Sequence, residues 1–159
     1  MKTIIITGST RGIGRGMAEE FLGRGHQVVI NGRNKEKVEE AVKELGKNGG
    51  EVCGIAGSAA EKETHQNLID LAMKSFGKVD YYINNAGIPN PHKSFTELDQ
   101  QDVKSLIDTN IYGLMIGTSV AANHMIKQGS GKIFNMEGFG SDGRMREKLT
   151  LYGTSKRAV

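Results

Sequence analysis

Apolar residues recur along this chain in two alternating rhythms. Short, nearly continuous apolar runs, rich in Ile and Val, occupy Lys2–Thr7, Gln27–Asn31, Glu51–Ala56, Val79–Asn84 and Lys132–Met136. Strands buried on both faces of a parallel sheet have this pattern. Between the runs, apolar positions return every three or four residues with charged residues opposite, as amphipathic helices require. Met17, Ala18, Phe21 and Leu22 mark a helix over Gly14–Gly25, and Val38, Ala41, Val42 and Leu45 mark another over Lys35–Leu45. Leu68, Ile69, Ala72 and Phe76 do the same for Glu61–Phe76, and a long helix is predicted over Asp99–Lys127. A glycine-rich loop after the fifth run leads to a last helix starting near Leu151. Five β-α repeats with a sixth helix begun predict an α/β fold, a doubly wound parallel sheet with right-handed crossovers and strand order 3-2-1-4-5. No linker or internal repeat divides the sequence, so residues 1–159 are read as one domain of Rossmann type.

Composition narrows the function. Hydrophobic residues at 37% and charged residues at 25% exclude a disordered chain. No apolar run approaches the roughly 18 residues of a spanning helix, so no membrane partner is expected. The first strand begins at Lys2, which predicts neither signal nor transit peptide. Cys53 is the only cysteine, which rules out a disulfide framework or a Cys-based zinc site and points to the cytoplasm. His26, His65, His92 and His124 lack metal-ligand spacing and are read as surface residues. Met115, Met125 and Met136 read as core or pocket lining. The formal charge of +3 suits a small anionic ligand better than a nucleic acid, and Lys35, Lys37, Lys43 and Lys47 read as a solvated helix face.

The segment Thr7-Gly8-Ser9-Thr10-Arg11-Gly12-Ile13-Gly14 follows the first strand and opens the first helix. Glycines there let the backbone turn tightly and approach a pyrophosphate, and the helix N-terminus offers free N–H groups to it. Strand, turn and helix in that order are the context this motif requires. About 20 residues further on, an acid would hold the ribose 2′-hydroxyl of NAD. Here the stretch reads Asn31-Gly32-Arg33, with no carboxylate. An arginine fork suits a 2′-phosphate, and Arg11 adds a second cation, so NADP(H) is the expected cofactor.

Four motifs in order then give the chain a family likeness. Thr7-Gly8-x-x-x-Gly12-Ile13-Gly14, Asn84-Asn85-Ala86-Gly87, Asn110 in the long helix, and Tyr152-x-x-x-Lys156 together resemble the short-chain dehydrogenases/reductases over the whole sequence. The stretch from Phe134 to Arg144 is, within that family, most similar to the chlorophyll b reductase branch. The resemblance implies a hydride transfer between the nicotinamide and a carbonyl or secondary alcohol. It implies cofactor contacts from Gly8, Ser9, Thr10, Arg11, Gly12, Ile13, Gly14, Arg33, Ser58, Asn85, Ala86 and Gly87. It also implies that Tyr152 is the acid-base residue, that Lys156 holds the nicotinamide ribose, and that Asn110 positions a water in the proton relay. Residue chemistry agrees for the pair: a phenol titrates at about 10, and an ammonium four residues away on a helix stabilises the phenolate.

Two positions depart from the family. The serine usually found at the end of the fifth strand is replaced by Gly138 and Phe139, leaving Ser141 as the nearest hydroxyl and the candidate catalytic substitute. A carboxylate at Glu137 would repel a developing oxyanion. The aspartate that holds the adenine amino group is replaced by Ser58, which still accepts a hydrogen bond. Family members continue well beyond the Tyr-x-x-x-Lys motif, through strands six and seven, so the chain reads as truncated at the C-terminus and its own activity as doubtful. A homodimer or homotetramer is expected of the full-length form. The sequence therefore supports an NADPH-dependent oxidoreductase acting on a small-molecule carbonyl or alcohol, with a large flat apolar carbonyl compound favoured. The alternative is a non-catalytic nucleotide-binding module or inactive fragment.

Overall fold

The computed structural model describes residues 1–91, 93–144 and 146–159. Its centre is one parallel sheet of β1 (Thr3–Ile6), β2 (Gln27–Gly32), β3 (Val52–Ala56), β4 (Tyr81–Asn84) and β5 (Lys132–Asn135), in the order β3-β2-β1-β4-β5. Ile4–Ile6 pairs in register with Val28–Ile30 on one side and Tyr81–Ile83 on the other. The strands alternate with α1 (Gly12–Gly23), α2 (Lys35–Leu45), α3 (Lys62–Phe76), α4 (Gln100–Ile107), α5 (Leu114–Gln128) and α6 (Thr150–Arg157).

The all-apolar strands divide their side chains between two cores. Ile4, Ile6, Val28, Ile30 and Ile83 pack with Ala18, Val38, Ala41 and Leu45 under α1 and α2. Ile5, Val29 and Tyr82 pack with Leu68, Ile69, Ala72, Val120, Ala121 and Met125 under α3 and α5. Each such large side chain contributes about 1.5–3 kcal/mol on full burial. Two helices start where side chains satisfy their first N–H groups. Asn34 Oδ1 accepts from the Lys37 N–H at 2.8 Å, and Asp99 and Asp102 cap one another reciprocally at the start of α4. The order reverses between β1, whose next strand lies to one side, and β4 on the other. Such a switch point opens a crevice at the carboxyl ends of the strands.

The predicted long helix runs unbroken from Gln100 to Gln128, with α4 and α5 joined by a helical π turn, Asp108–Gly113, in which Asn110 lies. Two expectations need correction. Met115 is 61% exposed rather than in the core. His65 is not a surface residue; it is 1% exposed, on the inner side of α3. His26 and His124 are half-buried, and His92 lies outside the described residues.

Burial lowers the pKa of the His65 imidazole from its ordinary 6.5, and the carbonyls of Ala59 and Gly113 act in the opposite direction without cancelling it. The unfolded chain therefore binds a proton at a higher pH than the folded one. The resulting stability is complete above about pH 6.5 and is lost as pH falls through the lower folded value. Thermal melts between pH 7.5 and 5 are expected to fall more steeply for the wild type than for His65→Gln; parallel slopes would contradict this.

Candidate active site and dinucleotide cleft

The loop after β1 and the loop after β4 meet at the carboxyl edge of the sheet. Gly8 has a positive φ of 61°, and a β-carbon on it would lie 2.8 Å from the Ala86 Cα, so only glycine lets the two loops touch. The Thr7 hydroxyl oxygen accepts from the N–H groups of Asn85 and Ala86, each at 3.0 Å. Asn85 Nδ2 in turn donates to the carbonyls of Thr7 and Gly8. A β-carbon on Gly14 would come within 2.5 Å of that same amide, so the first turn of α1 sits directly on this junction. No side chain caps α1 and no acid stands in its first turn, which leaves its N–H groups for an anion.

A cleft of about 600 Å³ runs from this loop across the end of β2 to the turn after β3. Gly8, Thr10, Arg11, Gly12, Ile13, Gly14, Arg33, Ser58, Asn85, Ala86 and Gly87 line it. Ser9 does not: its hydroxyl donates inward to the Ile6 carbonyl at 2.6 Å and accepts from the Asn31 N–H, so it shapes the loop from behind. The Ser58 hydroxyl accepts from the Ala60 N–H at 3.2 Å. Lys37, read from sequence as part of a solvated face, also lines the cleft, because Asn34 starts α2 immediately beside β2. Arg11, Arg33 and Lys37 make no ion pair among the described residues. The described lining contains three cations and no carboxylate, which fits a dinucleotide with several phosphates.

A second cavity of about 320 Å³ adjoins the first and shares Ile13, Asn85, Gly87 and Ile88 with it. Met136, Pro89 and Leu149 make it mostly apolar, and Tyr152 and Lys156 bring the chemistry. Both project from α6 to the same side. Lys156 Nζ lies 5.9 Å from the centre of the Tyr152 ring and donates to the Met136 carbonyl at 2.8 Å. Burial lowers the pKa of this ammonium from the usual 10.5 of lysine. Asn110 is buried behind the cavity. Its Oδ1 accepts from the Ile88 N–H at 2.9 Å, and its Nδ2 donates to the Ile88 carbonyl and to the Ser155 hydroxyl. It clamps the loop after β4 to the π turn and to α6.

Sequence reasoning missed Asn90. Its Oδ1 accepts from the Tyr152 N–H at 3.1 Å, capping α6 from a distant loop, while its Nδ2 donates to the carbonyls of Lys148 and Pro91. The signal available was an amide between two prolines, Pro89 and Pro91. Ser141 is not among the described residues lining the cavity. Its N–H donates to the Gly138 carbonyl and its own carbonyl accepts from Arg157. At Gly138 itself, a β-carbon would stand 2.6 Å from the Tyr152 hydroxyl. The tyrosine oxygen thus occupies the space that a side chain at 138 would need.

The family model for short chain dehydrogenases matches residues 2–159. The chloroplastic chlorophyll(ide) b reductase NOL of Oryza sativa subsp. japonica is 42% identical over 98% of this chain and 47% of its own length. The (S)-acetoin-forming diacetyl reductase of Staphylococcus epidermidis is 31% identical over 99% of this chain and 61% of its own. The crystal structure of a short chain dehydrogenase from Bacillus anthracis shares 29% identity at a TM-score of 0.91, over 99% of this chain and 65% of that one. The chain thus spans about half the length of the chlorophyll(ide) b reductase it matches. The cytoplasmic expectation does not stand, because the chlorophyll(ide) b reductases it resembles are chloroplastic. Compartment is set by an address that a receptor reads, not by the folded domain, so one free cysteine says nothing about it. A match running from Lys2 to Val159 takes in the whole sheet and both cavities, and the chain belongs to the short chain dehydrogenases, oxidoreductases that work with a nicotinamide dinucleotide.

Proposed function

We propose that the chain forms the dinucleotide-binding and catalytic part of an NADPH-dependent carbonyl reductase, or of the reverse alcohol dehydrogenase. The supporting observation is that an apolar cavity containing Tyr152 and Lys156 opens directly onto a cleft with three unpaired cations and no carboxylate in its described lining. Arg33, with Arg11 and Lys37, holds the 2′-phosphate; the glycine loop and the first turn of α1 take the pyrophosphate. A bound nicotinamide supplies the hydride. Tyr152 delivers the proton to the carbonyl oxygen, or removes it in reverse, and Lys156 holds the ribose. Asn110 and Asn90 fix α6, and with it the tyrosine, against the loop after β4. The substrate class is a carbonyl compound with a large apolar body, in keeping with the apolar lining and with the named chlorophyll(ide) b reductases. Self-association belongs to the same reading, through the exposed Ile107, Tyr112 and Met115 around α4 and α5.

One observation favours a second reading, a nucleotide-binding module without turnover: no side-chain hydroxyl stands at position 138, and Ser141 is outside the cavity lining.

NADPH is expected to bind more tightly than NADH, and Arg33→Asp to narrow or reverse the preference. Loss of one charged hydrogen-bonding contact costs about 1.5–3 kcal/mol, or roughly 10- to 100-fold in affinity. Isothermal titration of both cofactors against both proteins measures this. Equal affinities in the wild type would refute the assignment.

A further inference from the structure

The apolar core under α3 and α5 contains one polar pair that packing alone does not require. His65 Nδ1 lies 2.6 Å from the Tyr82 hydroxyl, and His65 Nε2 lies 2.8 Å from the carbonyl oxygen of Ala59. A carbonyl only accepts, so Nε2 carries the proton. In a neutral imidazole Nδ1 then accepts, and Tyr82 is the donor. Burial favours that neutral form. Tyr82 is fully buried and donates into the ring, which satisfies Nδ1, while the Ala59 carbonyl selects the tautomer that carries Nε2–H.

That N–H meets the turn over 57–60, which walls one end of the dinucleotide cleft through Gly57, Ser58 and Ala59. The first half of the turn is held from β2. The Gly57 N–H donates to the Gly32 carbonyl at 3.0 Å, and the Gly57 carbonyl accepts from Asn31 Nδ2 at 3.1 Å. The second half has no strand beside it, and the Ala59 carbonyl is held by His65. The same carbonyl also backs onto the π turn. A β-carbon on Gly113 would come within 2.3 Å of the Ala59 oxygen, so the two backbones are in contact. That π turn carries Thr109, which lines the cleft, and Asn110.

We propose that His65 is a positioning residue for the dinucleotide: its Nε2–H holds the Ala59 carbonyl and so sets the wall that receives the adenine. The proposal rests on the reading of this cleft as a dinucleotide site. It differs from a purely structural role, because the bond to Ala59 and the bond to Tyr82 can be removed separately. A buried hydrogen bond that fixes a binding wall is worth about five- to tenfold in affinity.

The test is isothermal titration of ADP-ribose, which reports the adenine half and is indifferent to the 2′-phosphate, alongside thermal melts of the same 159-residue proteins. His65→Leu is expected to weaken ADP-ribose binding about five- to tenfold. His65→Gln keeps a donor toward Ala59 and is expected to restore it. Tyr82→Phe is expected to lower the melting temperature while leaving affinity within twofold. The proposal is overturned if His65→Leu binds like the wild type, or if affinity tracks melting temperature across all three variants. If the wild type itself does not bind ADP-ribose, the dinucleotide reading fails and the proposal with it. The ¹⁵N imidazole spectrum of the wild type tests the idea without any substitution. A neutral, Nε2-protonated His65 whose Nε2 resonance moves on adding ADP-ribose supports it; an unmoved resonance at saturation refutes it.

Discussion

Replacing Tyr152 by phenylalanine is expected to reduce carbonyl reduction by about 10²–10⁴-fold, the range over which a positioned acid-base group acts. NADPH affinity should stay within a few-fold of the wild type. The split follows from where the two parts of the side chain lie. The ring packs in the apolar cavity with Lys156 Nζ 5.9 Å from its centre, and phenylalanine keeps that packing. Only the hydroxyl carries the proton. Following NADPH oxidation for both proteins with chlorophyllide b and with diacetyl, beside a cofactor titration, separates the effects. Undiminished turnover in the variant would remove Tyr152 from the chemistry. Absence of turnover in the wild type, with cofactor bound normally, would favour the nucleotide-binding module.

Restoring the residue that the family usually carries at the end of the fifth strand should do harm here. Gly138→Ser places a β-carbon 2.6 Å from the present position of the Tyr152 hydroxyl and 3.2 Å from two carbons of Lys156. The Lys156 side chain is tied through Nζ to the Met136 carbonyl, so the Tyr152 hydroxyl, at the free end of its side chain, is the group that gives way. The hydroxyl is therefore pushed off its position, and a displacement of about 1 Å of a reacting group costs on the order of 10² in rate. Turnover is expected to drop by about that factor while the protein still melts cooperatively, since the contact lies at the cavity rim and not in either core. An increase in turnover would mean that the ring swings aside and the new serine donates to the carbonyl oxygen.

Much of the architecture was legible because its cause is local. Runs such as Thr3–Ile6, with every residue buried, have one stable place, inside a parallel sheet covered on both faces. Helices with one apolar stripe supply the covering, and the stripe of Val38, Ala41, Val42 and Leu45 placed α2 at Lys35–Leu45, where the structure has it. The π turn between α4 and α5 was not legible. Asp108–Gly113 keeps helical periodicity in its sequence, and the wider turn is tied to a contact with Ala59, about fifty residues earlier in the chain.

The candidate site divides in the same way. Gly8, Gly14, Arg33 and Tyr152 are close to strand ends and helix starts, and Lys156 follows Tyr152 by one helical turn, so short-range rules apply and the sequence by itself determined which side chains are present. Their surroundings were decided by the tertiary structure. His65 lies on the stripe of Leu68, Ile69 and Ala72, where its polarity spoke against burial, and Met115 follows a π turn that shifts the helical register. The fold buried the first against Tyr82 and left the second 61% exposed. Asn90 caps α6 across a gap of 62 residues, and the backbone of Ser141 is held between Arg157 and Gly138. Periodicity reports which face of an element is apolar, whereas the identity of the atom opposite a given polar group depends on how distant segments are brought together. For this protein the sequence therefore determined the sheet, the glycine loop and the Tyr-Lys pair. Only the folded chain decided which amides hold that pair in place, and that the Tyr152 hydroxyl fills the space beside Gly138.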